Sequence, residues 1–281
     1  MDRRLAVIAL AGAALAPSSA LAADPPLQAD QHFKIDPVSD IVLTAASAGA
    51  AGLTDLILST GEIRPQPLPT DANGNVIVGN LLSIDRTAIT QTVDPSASTY
   101  SDIGLYTAIG FAVLDPMFSG LRDGWDAGLV DAVMYAESLS ITLFVTDVTK
   151  IAVRRPRPID YMNPADKTST NLELSFFSGH ASSTAAVAAT ATYLAFVRAP
   201  GTARPWITLA AGTLLTGFVS YERVRSGAHF PTDVIAGSMA GAAIGVLVPH
   251  LHRHETEGPS LWIGAAPAAG GGGVLDVHGN F

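Results

Sequence analysis

Three successive stretches of this chain carry no charged side chain: residues 181–197, 205–221 and 234–249. Each is 16 or 17 residues long and rich in Ala, Gly, Ser and Thr. A helical pattern dominates from about residue 99 onward. Runs of this kind fold as helices packed closely on one another, which small side chains permit in water or in lipid. A membrane span takes about 20 apolar residues, with about 17 as the lower edge. Buried bundle helices and membrane spans are therefore both open to these runs. Two further apolar segments precede them, 103–117 and 125–150; Asp131, Glu137 and Asp147 lie inside the second. Those acids are either polar contacts within a bundle or its wet face.

Charged residues make up only 15% of the 281 residues, against about 25% in an ordinary soluble domain. Net charge is −9, which argues against nucleic acid as a partner. Yet six of the sixteen basic residues fall in two short runs: Lys150, Arg154, Arg155 and Arg157, then Arg223 and Arg225. In an acidic chain this clustering points to a local anion site. With no cysteine, disulfides, thiol nucleophiles and Cys-ligated zinc are excluded.

The N-terminus reads as an export signal. Asp2-Arg3-Arg4 precedes the apolar run 5–15, and Ala20-Leu21-Ala22 supplies a small-residue cleavage site. Cleavage after Ala22 and a periplasmic or envelope-membrane location are expected. Residues 23–39 read as an exposed leader. Residues 40–58 read as a packed helix interrupted by Asp55, with Asp40 as its cap. Residues 61–99, with Pro65, Pro67, Pro69, Gly74 and Asn75, read as a long loop. The expected organisation is a signal segment 1–22, a helix and loop over 23–99, a helical core over 100–252 and a Gly-rich tail over 253–281. Weak strand alternation at 274–281 permits a short hairpin. Trp206 and Tyr221 bracket an uncharged run, as an interfacial belt or as core packing. His250, His252 and His254 alternate in PHLHRHE and are read as a polar helix end rather than a metal site.

Chemistry concentrates at three helix boundaries. In KIAVRRPRP, Lys150 closes an apolar run, and Pro156 and Pro158 stop the helix. Arg157 lies between those prolines; Arg offers a fork and Lys a point charge to phosphate oxygens. In FSGH, Ser178 and Gly179 open a helix whose free N–H groups favour an anion, and His180 is placed to move a proton. In RVRSGAHFPTD, Arg223 adds charge and His229 precedes Pro231 at a helix start. Asp233, four residues after His229, is expected to accept a hydrogen bond from one imidazole nitrogen, leaving the other nucleophilic.

The order and spacing of these blocks resemble the signature of the PAP2 (type 2 phosphatidic acid phosphatase) superfamily: K-x6-RP, PSGH, then SR-x5-H-x3-D. Lys150, Arg157 and Pro158 match the first part; Ser178, Gly179 and His180 the second; Arg223, His229 and Asp233 the third. Phe177 stands where the family has proline, and Glu222 where it has serine. The resemblance implies an all-α helical bundle with the site at one end. It implies that Lys150, Arg157, Ser178, Gly179 and Arg223 hold phosphate. His229 would form a phosphohistidine, Asp233 would orient it and His180 would serve as acid and base, with no metal or other cofactor. The implied substrate is a phosphorylated lipid or a small phosphate ester, with membrane association favoured by the apolar helices. A soluble acid phosphatase, a vanadium-dependent haloperoxidase and a non-enzymatic envelope protein are the competing readings.

Overall fold

A computed structural model of the chain describes residues 32–164, 174–253, 260–267 and 273–280. The expected signal segment and cleavage point lie outside the described residues. Eight helices are seen among them: α1 Pro37–Ser59, α2 Ser83–Thr90, α3 Pro95–Asp123, α4 Trp125–Val153, α5 Pro158–Met162, α6 Gly179–Arg198, α7 Arg204–Arg225 and α8 Pro231–Leu251. Two antiparallel strands follow, β1 Ser260–Pro267 and β2 Gly273–Asn280, registered Ser260 to Asn280 and Pro267 to Gly273. The expected all-α bundle and its terminal hairpin are both present.

Local chemistry starts most of these helices. Asp36 caps α1 by accepting from Val38 N and Ser39 N, with Pro37 fixing the first helical φ. This corrects the expectation for Asp40, which lies in the first turn and accepts from Asp36 N at 2.8 Å. Asp94 and Pro95 open α3 in the same way. Gly124, at φ 103°, makes the reversal between α3 and α4, a conformation that side chains disfavour.

α6 is the hub of the bundle, packed by α3, α4, α7 and α8, while α1 lies against α4. The tightest seam is α6 on α8, where Gly237, Gly241 and Gly245 form a stripe. A Cβ built on Gly237 would fall 2.7 Å from Ser178 O, and one on Gly241 would overlap Ser182 O. The apolar core joins Phe33, Ala108, Val130, Met134, Tyr135, Val187, Ala191 and Leu194.

Two expectations fail. Residues 61–99 are not one loop, because α2 forms inside them and α3 begins at Pro95. α2 is short and polar, and it is held by tertiary contacts of its buried Asp85. Nor is α1 a packed helix. Val38, Ile41, Val42, Leu53 and Leu56 are all more than half exposed along it. α1, α3, α4 and α8 are each long and apolar enough to cross a membrane. Two of the three acids inside α4 are absorbed by cationic partners. Asp131 is fully buried against Arg198 at 2.7 Å, and Asp147 accepts from Lys150 at 3.3 Å.

Candidate active site

One end of the bundle gathers the last turns of α4 and α7 and the first turns of α6 and α8. The partial positive charge of two helix N-termini therefore faces the same region. Lys150 comes from the last turn of α4, and Arg223 from that of α7. Arg154 ends α4 in the left-handed conformation at φ 53°, which swings Arg155 to Arg157 out of the helix. Arg157 then directly precedes α5, with its N–H donated to Asp160 Oδ2 at 2.7 Å.

Ser178 caps α6, its Oγ accepting from Ala181 N at 3.4 Å. At Gly179 a Cβ would come within 3.8 Å of Lys150 Nζ, so this backbone lies beside the ammonium group. Arg223 is 7% exposed; its Nη1 reaches Ser101 Oγ at 3.4 Å, and its Nε is buried with no hydrogen-bond partner among the described residues. A buried guanidinium with donor capacity to spare suits an incoming oxyanion.

His229 is 2% exposed, in the turn between α7 and α8. Its Nδ1 lies 2.7 Å from Ser175 O, and a carbonyl can only accept, so Nδ1 carries the proton and Nε2 is bare. The imidazole is held well below the usual histidine pKa, first by burial and then by Arg223, Arg157 and Lys150. His180 is lowered to about 4, by burial first and Arg223 second, against the opposing hydrogen bond it donates to Asp102.

The geometry departs from the sequence reading at Asp233. Its Oδ2 is 3.9 Å from His229 Nδ1, beyond hydrogen-bonding reach, and Ser175 O takes that proton instead. Asp233 accepts from Phe230 N at 2.8 Å, from Ser175 Oγ and from Arg155 Nη1. It ties down the backbone directly after His229. The two departures from the family pattern are both accommodated. Glu222 is turned to Arg225, with oxygens 3.3 and 3.4 Å from Nη1. Phe177 is 6% exposed and packs in the α6–α8 seam near Gly237.

Four residues join the site without having been assigned to it. Asp102 on α3 holds His180 Nε2 at 2.8 Å. Ser175 holds both His229 and Asp233. Arg155 links Asp233 to Asp85, which in turn accepts from Thr232 N at 3.0 Å. Arg155 was visible as part of the basic run. Asp85, Asp102 and Ser175 stand in no recognisable local pattern.

Residues 131–257 match the family model of the PAP2 superfamily. No curated protein matches the chain. Among solved structures, a transmembrane PAP2-type phosphatidylglycerolphosphate phosphatase from Bacillus subtilis is similar at 22% identity and TM-score 0.45, over 76% of this chain and 94% of the other. LpxE from Aquifex aeolicus is similar at 18% identity and TM-score 0.42, over 62% of this chain and 98% of the other.

Proposed function

We propose that this chain, which carries a PAP2 superfamily domain over residues 131–257, is a phosphatase of lipid phosphates or diphosphates acting through a phosphohistidine. The observation that carries the reading is His229: it is buried with Nε2 bare, and Arg223, Arg157 and Lys150 each oppose a positive charge on its ring. Three cations around a neutral nucleophile call for a dianionic phosphate, and they stabilise the charge that spreads over its oxygens during transfer.

In the first step the Nε2 lone pair of His229 attacks phosphorus, and the bond to the leaving oxygen breaks. His180 gives that oxygen its proton. A bound dianion offsets Arg223 and raises the pKa of His180, so the ring holds a proton between the phosphate and Asp102. In the second step His180, now neutral, takes a proton from water as the water oxygen attacks phosphorus. The P–N bond breaks, inorganic phosphate leaves and His229 regains its lone pair. Ser178 and the α6 N-terminus around Gly179 hold the non-bridging oxygens.

Two observations favour a lipid over a soluble ester. Four helices are apolar enough to cross a membrane. A cleft of about 810 Å³ also runs between α6, α7 and α8, lined by Ala188, Phe196, Leu209, Thr216, Ala242 and Val246 among others. Its lining includes Ser220 and Ser238, one turn from Arg223 and little more from Asp233 along the chain. An acyl or prenyl chain fits that lining. An envelope membrane is the location that fits such a substrate.

The test is phosphate release from detergent-solubilised protein, with lipid monophosphates, prenyl diphosphates and water-soluble phosphomonoesters compared side by side. Lipid substrates are expected to give the higher kcat/KM. His229→Ala is expected to lose at least about 10³-fold in kcat, together with the acid-labile phosphoenzyme trapped by rapid quench. A variant as active as the parent would remove His229 from the mechanism.

A further inference from the structure

Where α1 begins and α8 ends, beside the middle of α4 and away from the phosphate site, three acidic and imidazole side chains from separate elements meet. Asp40 comes from the first turn of α1, Glu137 from α4, and His252 is the residue that ends α8. Their nearest donor atoms all lie within 4.8 Å of one another. Asp233 and His252 are 19 residues apart on α8, so the two sites are separated by about 28 Å of helix.

The details go beyond an acidic cluster. His252 Nδ1 lies 2.8 Å from Val248 O, so that nitrogen is the donor and Nε2 offers its lone pair. Metal-bound histidines are held by this same outer hydrogen bond. Nε2 faces Asp40 Oδ1 at 3.4 Å and Glu137 Oε2 at 3.5 Å. A charge-assisted hydrogen bond would draw such pairs to about 2.7–2.9 Å. Donors bound to one tetrahedral ion at about 2.0–2.1 Å stand about 3.3–3.4 Å apart. Glu137 is 3% exposed, and its Oε2 is buried with no hydrogen-bond partner among the described residues. A buried carboxylate oxygen aimed at a second carboxylate and an imidazole lone pair lacks a counter-charge.

We infer that Asp40, Glu137 and His252 form a binding site for one divalent transition-metal ion, with Zn²⁺ as the natural occupant. Two carboxylates and a neutral imidazole balance a 2+ charge, and mixed N/O donors select such ions over Ca²⁺ or Mg²⁺. Three protein ligands leave the fourth position to water. The role is structural: the ion fastens α1, whose apolar residues are largely exposed, to α4 and to the end of α8. His250 takes no part, since its Nδ1 pairs with Tyr193 Oη at 3.0 Å.

The experiment uses the full chain in detergent, freed of any affinity tag and stripped with chelator. Co²⁺ is titrated in and followed by its visible absorption, with Zn²⁺ as competitor and thermal unfolding as second readout. One Co²⁺ per chain is expected, displaced by Zn²⁺, with a higher unfolding temperature in either metal. Glu137→Gln, His252→Gln and the milder Asp40→Asn should each weaken binding by more than about 10-fold, as loss of even an outer-shell partner does. His229→Ala should bind as the parent does, which separates this site from the phosphate site. A stripped parent that takes up no Co²⁺ overturns the inference whatever the variants do; so does uptake unchanged in all three variants.

Discussion

A nucleophilic histidine needs one nitrogen bare and the other tied, and the residue that ties it need not be the one that spacing suggests. Asp233 stands four residues from His229, yet the Nδ1 proton goes to Ser175 O. A carbonyl 54 residues upstream leaves no trace in a local motif, which is why the charged members of the site were legible and their supports were not. The same applies to Asp102, which lies outside the family match at 131–257 but holds His180. In the proposed mechanism Asp102 is a positioning residue. Asp102→Asn is expected to lower kcat by about 10-fold or more, within the range general acid–base catalysis supplies, and to move the pH profile. Combined with His180→Asn it should add little, because two residues acting as a unit are not additive. A fully additive double variant would show that Asp102 acts elsewhere. The histidines also set a pH dependence of stability. His180 sits at about 4 and His229 well below its ordinary value. An unfolded chain would protonate both near 6.5. Between those limits the unfolded state binds the extra protons, so stability falls as pH drops from about 6.5 toward 4. Unfolding temperatures in detergent should decline across that window, and inorganic phosphate should flatten the decline. A flat profile without phosphate would contradict the burial described for these rings.

At the scale of the helix, the α6–α8 seam is where sequence dictates structure most directly. Gly237, Gly241 and Gly245 recur every four residues, placing them on one face of α8. That face meets the α6 backbone at Ser178, Ser182 and Ala186. Because the obstructing atoms are backbone carbonyl oxygens, they cannot swing away as a side chain would. Gly241→Ala is therefore expected to cost about 1–3 kcal/mol of stability, read as a lower unfolding temperature. It should also lower activity, since Ser178 and Asp233 sit at the end of the same seam. Gly49→Ala is the control: a Cβ there meets nothing within 4 Å. The helix propensity of alanine should then leave stability equal or higher by up to about 1 kcal/mol. Equal losses in both variants would mean that packing distance does not govern the seam. Helix existence was legible wherever apolar runs were long, and helix boundaries were legible in the three motif blocks at Pro156, Ser178 and Pro231, but not at Asp36-Pro37 or Asp94-Pro95. α2 was not, because its sequence SIDRTAIT is mostly polar and its order comes from Asp85 meeting Arg155 and Thr232. The uncharged runs also underestimate the helices, since α4 carries its acids inside and spans 29 residues.

For the whole molecule, the decisive quantity is which side the large apolar residues face. Leu121, Leu214, Met239 and Val38 are each exposed by two-thirds or more, on four different helices. Large apolar side chains so exposed on four helices are expected to meet lipid. The aromatic residues give the surface a polarity along its axis. Trp125 and Trp206 are 61% and 63% exposed, in the first turns of α4 and α7. That end of the bundle is opposite the proposed phosphate site, at which Tyr221 and Tyr100 are 61% and 47% exposed. Core packing is thus excluded for Trp206 and Tyr221, and they stand 15 residues, or about 22 Å, apart along α7. Amphipathic rings so placed are expected at the two edges of a hydrocarbon layer. In a protein reconstituted with Trp206 as its one tryptophan, by Trp125→Phe and Trp262→Phe, the indole should lie near the lipid head groups. Bromine placed high on the acyl chain should then quench its fluorescence more strongly than bromine near the chain's methyl end. The same order is expected with Trp125 as the single tryptophan, since both rings share one edge. Deep bromine quenching more strongly than shallow would put that edge inside the bilayer and displace the phosphate site from the opposite interface. No quenching from either depth would mean that the apolar face meets something other than lipid.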